Sequence, residues 1–294
     1  MMRFSLWTVL TMGVTLGVAG PADRLPEQRQ AVLVELFTSE GCSSCPPADA
    51  LLERLDRSQP VSGAQIVVLS EHVDYWNHIG WADPYSSPAF SARQEQYARR
   101  FRSQGPYTPQ MVVDARSEFV GSDARAAESA IHSAAKYPKA AIRISEEGGS
   151  VIVNVAPLPS GTARKAAVFC AYAIDSGTQD VVRGENKGRR LHHVAIAKEL
   201  KQIGTVDDRT EFKTQLPIES GARLIVFVQG ARQRPRGGGC DACRGPLGMR
   251  KVKIFMRRNC NTSTTRTRLL GSCWPTLSDG KRRTLLFPGG FFRW

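Results

Sequence analysis

The sequence predicts an α/β domain running strand–helix–strand–helix–strand–strand–helix, followed by a small, mainly β domain. Three observations carry that expectation. Short apolar runs rich in strand formers, residues 31–37 (AVLVELF) and 65–70 (QIVVLS), alternate with segments of helical apolar spacing. Two closely spaced runs, residues 108–114 and 118–121, precede a last helical segment. From Ala140 the apolar pattern shifts to alternation, the signature of strands.

The first strand leads to two cysteines, Cys42 and Cys45, in the stretch EGCSSCPP. From Pro46 the pattern becomes PPADALLERLDR, with Leu51, Leu52 and Leu55 on one helical face. Prolines are tolerated in a helix's first turn, so the cysteine pair is expected at a strand-to-helix junction. The second strand is followed by a polar and aromatic stretch, EHVDYWNHIGWADPYSS. Ser87 then suits a helix cap and Pro88 the first helical position, with the helix running to Phe101. Asp123 suits the cap of ARAAESAIHSAAKY, whose apolar face carries Ala127, Ala130, Ile131 and Ala134. A helix joins the first two strands, which predicts a parallel pair; the last two are close enough to form a hairpin.

Beyond that point AIRISEEGGSVIVNVAPL alternates around Glu-Gly-Gly, as a hairpin does. Residues 166–174 and 223–229 read as further strands, and residues 194–203 fit a short helix or a strand. The expected boundaries are 30–138 for the first domain and 139–230 for the second.

The two ends differ from this middle. Arg3 precedes an apolar run from Phe4 to Val18, followed by small residues, so residues 1–22 read as a secretory signal peptide. The expected location is periplasmic or secreted, with no membrane span in the mature form, in a compartment where disulfides persist. The net charge of +13 is confined to residues 231–294, which carry 15 basic and 2 acidic residues. Residues 1–230 are balanced, and an exported protein rarely meets nucleic acid, so no nucleic-acid partner is expected. The tail is Arg- and Gly-rich, loses periodicity and holds a second C-x-x-C at Cys240 and Cys243. An Arg-rich nucleic-acid arm, a basic arm for an anionic membrane and a shifted reading frame all fit it. The last predicts a disordered segment without function.

A C-x-x-C pair serves as a redox couple, as half of a metal site or as a structural staple. A redox couple needs one exposed, partly ionised thiol and a second thiol that resolves the mixed disulfide. A helix N-terminus favours an anion and so activates a thiol placed there. On that reading Cys42 attacks and Cys45 resolves. A zinc site needs a second ligand pair at matching spacing, and His72 and His78 do not supply one. Cys170 lies within an apolar run and reads as a buried free thiol. His192 and His193 read as surface or packing residues.

The strand order, the cysteine pair at the first helix and the proline opening the third strand resemble a thioredoxin-type core. That resemblance implies a cis-proline at Thr108-Pro109 facing the two sulfurs and shaping the substrate site. It also implies a proton-relay role for Glu35, although Glu35 stands one residue further from the first cysteine than in thioredoxins. Longer motifs, VELFTSEGCSSCPPAD, SEHVDYWNHIGWADPYSSPAFSARQEQYA, YTPQMVVD and GENKGRRLHHVAIAKELKQIGT, resemble a family of secreted bacterial proteins of unknown function with a thioredoxin-like fold. Together they imply exchange with protein thiols or disulfides and no dissociable cofactor. His72, Asp74, Tyr75, Trp76 and Thr108 are candidates for lining a substrate groove. Two alternatives remain: a binding protein with a structural Cys42–Cys45 disulfide, and a copper(I) carrier using the two thiolates with His72.

Overall fold

A computed structural model describes residues 29–230 and the backbone of one further strand, at Met249–Met256. The order begins β1 (Gln30–Thr38), α1 (Pro46–Ser58), β2 (Ala64–His72), α2 (Pro88–Phe101), β3 (Gln110–Val113), β4 (Ser117–Val120) and α3 (Ala124–Ala135). It continues with β5 (Ile142–Glu147), β6 (Ser150–Val155), β7 (Lys165–Asp180), β8 (Arg190–Asp207), β9 (Phe212–Pro217), β10 (Ala222–Gly230) and β11 (Met249–Met256). Eight strands form one sheet in the order β11-β10-β7-β8-β2-β1-β3-β4, and β5-β6-β9 form a second.

The local signals hold. Ser87 Oγ accepts the Ala89 N–H at the start of α2, and Asp123 Oδ1 accepts the Ala126 N–H at the start of α3. The first two strands are parallel, and β3–β4 is an antiparallel hairpin beside β1. Gly148 and Gly149 turn the β5–β6 hairpin with φ of 56° and 79°, the left-handed values that a two-residue hairpin loop requires.

Strand alternation sends residues of β1 to opposite faces. Val32, Val34 and Leu36 meet Leu51, Leu52 and Leu55 of α1 and Ala127 and Ile131 of α3 in one core. Leu33 and Phe37 meet Phe90 and Tyr97 of α2 on the other face, together with Ala171, Ile225 and Phe227 from β7 and β10. A third core lies between the small sheet and Val168, Cys170, Tyr172 and Val226 of the large one.

The expected split at 138/139 therefore does not fall between separate bodies. Strands β7, β8 and β10 extend the first-half sheet, and the described residues belong to one compact unit. Residues 194–203 are strand, within β8, because pairing with β7 over most of its length overrides a helix-compatible pattern. Within the tail, β11 pairs with β10, so Met249–Met256 is not the unstructured segment expected. Its sequence, MRKVKIFM, suits the open edge of β10. The expected signal peptide and the rest of the tail lie outside the described residues. Among the described residues no helix is long and apolar enough to cross a membrane.

Candidate functional site

Strand β1 carries the chain to Ser39, and α1 begins at Pro46, so the cysteines fall in the tight connection between them. That connection is closed by the Cys42 N–H to Ser39 O (3.1 Å) and the Cys45 N–H to Cys42 O (3.2 Å). Cys42 and Cys45 form a disulfide with Cα atoms 5.4 Å apart. Cys45 is the N-cap residue of α1, and its carbonyl accepts the Ala48 and Asp49 N–H groups. The positive end of the helix dipole thus lies at the pair. Cys42 Sγ is 3.3 Å from Ser44 Oγ, a hydroxyl able to donate to a thiolate. Both cysteines are wholly buried, whereas Ser43 and Ser44 are exposed.

Thr108-Pro109 is a cis peptide bond, as the resemblance implied. Pro109 is buried, and its carbonyl accepts the Gly121 N–H at 2.9 Å. A Cβ at Gly121 would stand 3.1 Å from both Ala48 Cβ and Pro109 Cβ, so Gly121 sits between the proline and the first turn of α1. Trp76 bridges the same region. Its indole N–H donates to Thr108 Oγ1 at 2.8 Å, and its Cβ would stand 3.1 Å from a Cβ placed on Gly41. Tyr75 and Asp74 are instead fastened to α2, through Gln94 and Ser91.

His72 belongs to a buried charged cluster. Its Nδ1 is 2.7 Å from Asp83 Oδ2, whose carboxylate also accepts the Glu40 and Tyr85 backbone N–H groups. Burial works against the Asp83 charge, but His72 and those N–H groups hold its pKa below the usual value. The His72 ring meets the His193 ring edge-on at 4.6 Å. His193 in turn lies 3.3 Å from Glu40 Oε1 and 3.6 Å from Asp49 Oδ1. Burial opposes its protonation, yet the Asp49 and Glu40 carboxylates outweigh that and push its pKa up to about 10. Glu40 precedes Cys42 by two positions and also accepts the Trp81 indole N–H at 2.8 Å. Asp49 lies in the first turn of α1. His193 is therefore neither a surface nor a simple packing residue, while His192 is exposed as expected. Among the described residues no group of three or more His, Cys, Asp or Glu side chains is arranged to hold a metal ion.

Glu35 is not brought to the disulfide. It faces away from α1, on the α2 side of the sheet, where Arg93 Nε donates to it at 2.7 Å and Tyr97 Oη at 2.6 Å. Period-two alternation decides this, because Val34 and Leu36 occupy the α1 face. Beside it Glu71 is wholly buried, and burial pushes its carboxyl well above the usual range.

Residues 33–229 match the family described as Protein of unknown function (DUF1223), and that span holds every residue of the site just described. The chain belongs to this family. A crystal structure of a protein from Agrobacterium tumefaciens is similar at 25% identity and a TM-score of 0.63, over 81% of this chain and 99% of that one. A DUF3823 family protein from Bacteroides ovatus gives 12% identity and a TM-score of 0.20, over 38% of this chain and 51% of that one, too distant a likeness to inform the fold. No curated protein matches.

Within the family span, the loop between β7 and β8 completes the site. Asn186 is wholly buried, and its Nδ2 donates to Glu40 O at 2.8 Å and Cys42 O at 2.9 Å. Glu185 accepts the Ser43 N–H at 3.1 Å. Residues contributed by this loop and by β8, namely Glu185, Asn186 and His193, escaped the sequence reading, as did Glu40, Asp49 and Asp83. The motif GENKGRRLHH was visible, but nothing local in it says that it folds over residues 40–43.

Proposed function

We propose that the chain is an exported thiol–disulfide exchange protein with a thioredoxin-like first half, acting through Cys42 and Cys45 on protein thiols or disulfides. One observation carries the reading: a disulfide-bonded C-x-x-C sits where a strand gives way to the N-terminus of α1, and a cis-proline and that same helix turn both border Gly121. The strand order β2-β1-β3-β4, with a parallel first pair and an antiparallel β3–β4 hairpin, supports the thioredoxin-like assignment.

In the reducing direction the Cys42 thiolate attacks one sulfur of a substrate disulfide. A Cys42–substrate bond forms, and the other substrate sulfur leaves as a thiolate. The Cys45 thiolate then attacks Cys42 Sγ and expels the second substrate thiolate. The substrate gains two electrons, and the pair ends as the disulfide. In the oxidising direction the same steps run in reverse. The helix N-terminus and the Ser44 hydroxyl favour the anionic sulfur at Cys42. Trp76, which lies against Gly41 and donates to Thr108, and the adjoining Pro109 are assigned to the substrate wall.

The test is covalent trapping. Cys45→Ser leaves Cys42 without its resolving partner and should accumulate a mixed disulfide with a scrambled-disulfide protein, whereas Cys42→Ser should not. Equal trapping by the two variants, or none by either, would contradict the reading. The complete burial of both cysteines favours a second reading, a binding protein in which the disulfide is structural. Under it neither variant traps a partner.

A further inference from the structure

We propose that the loop of residues 181–189 is a gate over the Cys42–Cys45 disulfide, latched by Asn186, and that it sets which thiols reach the sulfurs. The inference rests on the exchange reading and supplies what that reading lacks, a route to two cysteines with no exposed surface.

The latch is made of few contacts. Asn186 Nδ2 spends both of its hydrogens on Glu40 O and Cys42 O, the carbonyls on either side of Gly41. Its Oδ1 accepts from Arg189 Nη1 at 3.1 Å, which fixes the amide the right way round. Glu185 adds the bond to the Ser43 N–H, so the loop takes up three backbone polar groups of residues 40–43. These are backbone groups of the kind an incoming extended peptide uses for docking.

The loop is built to move as a unit. Its base is closed by Val181 N–H to Arg189 O (2.9 Å) and Gly188 N–H to Val181 O (2.7 Å). Lys187 N–H to Gly184 O and Arg189 N–H to Asn186 O brace its interior. Gly184 and Gly188 hold left-handed φ values of 74° and 81°, and a Cβ at Gly184 would meet Trp81 Cβ at 3.1 Å. Of its nine residues only Val181 and Asn186 are buried, and Val182 is 60% exposed. Little apolar area holds the loop down, so the hydrogen bonds of Asn186 and Glu185 decide whether it stays closed.

With the gate shut neither a small thiol nor a peptide contacts the sulfurs. A small opening admits a small thiol, and only full displacement frees Glu40 O, Cys42 O and the Ser43 N–H for a peptide strand. Selectivity for small thiols over peptide thiols is then a property of the latch.

The experiment measures how fast the full chain's disulfide is reduced, which is independent of turnover. Dithiothreitol converts the disulfide to two thiols and is itself oxidised to its cyclic disulfide. In the wild type the rate should level off at high dithiothreitol, because opening becomes limiting. Asn186→Ala should raise the plateau roughly 5- to 100-fold, the range set by two hydrogen bonds. It should also narrow the preference for dithiothreitol over an unstructured single-cysteine peptide. Glu185→Ala, at an exposed position, should raise the plateau roughly 2- to 5-fold and decides the matter if Asn186→Ala does not fold. Folded variants reduced at the wild-type rate would overturn the gate, as would a wild-type rate that rises linearly to that of a denatured control. A gate without mixed-disulfide trapping leaves the loop inference standing and removes the exchange reading; trapping without a gate does the reverse.

Discussion

His193 shows how a single residue ties distant segments to the cysteine pair. It sits on β8, yet its ring lies between Glu40, two positions before Cys42, and Asp49, one turn into the helix that Cys45 caps. Its pKa rises from 6.5 to about 10, so folding takes up a proton on this ring between those values. The stability it contributes is fully present below about pH 6.5 and is lost as pH rises through 10. His193→Gln should therefore lower the melting temperature most near pH 6, with the gap to wild type closing toward pH 10. A gap that stays constant across that range would contradict the assignment. At its acid end the variant should cost about 3–5 kcal/mol, because two buried carboxylates lose their cation. None of this was legible in the sequence. His192 and His193 look alike as neighbours, and only the β7 register, which pairs Gly177 with His193 and turns it inward, separates them. Cys170, by contrast, was legible from its apolar neighbours and is a buried free thiol, whose pKa burial pushes up to about 11.

At the scale of elements, local chemistry was the most readable layer. Pro46, Ser87, Pro88 and Asp123 mark helix starts through donors that must be satisfied or are absent, and each helix begins where those residues say. Glu35 shows what reading a strand in isolation leaves out. Alternation in VELF gives one face to Val34 and Leu36 and the other to Glu35, but which face the cysteine helix covers is a tertiary fact. Once α1 is placed, Glu35 is excluded from the site and pairs with Arg93. Gly121 lies close to β1, α1 and the proline loop alike. A Cβ there would stand 2.7 Å from Leu36 Cδ1 as well as 3.1 Å from Ala48 and Pro109. Gly121→Ala should cost about 1–3 kcal/mol in denaturant titration and slow exchange by displacing Pro109. A variant with unchanged stability and rate would show that the packing around Gly121 is slack.

For the molecule as a whole, the expected pair of domains becomes one construction. Arg223 of β10 donates to Asp56 of α1 through Nη1 and Nη2, at 3.0 and 3.1 Å, and to Asp175 of β7 at 3.1 Å. It thus fastens the second half of the chain to the helix that follows the cysteines. Alternation pointed to a second β segment correctly, but the join between the halves pairs Ser70 of β2 with Ile196 of β8, residues more than a hundred positions apart, and leaves no local trace, so the shared sheet was invisible. Calorimetry should accordingly show residues 29–230 unfolding in one transition, and two resolved transitions would contradict a continuous core. The same continuity brings β8 and its preceding loop to the cysteines, which makes the reactivity of the pair a property of both halves. The most direct test of that chemistry is the reduction potential of Cys42–Cys45, measured by equilibration with a defined thiol–disulfide buffer. An exchange protein should give a value between roughly −120 and −270 mV, where known exchangers lie, and a value well below about −300 mV would mark the disulfide as structural.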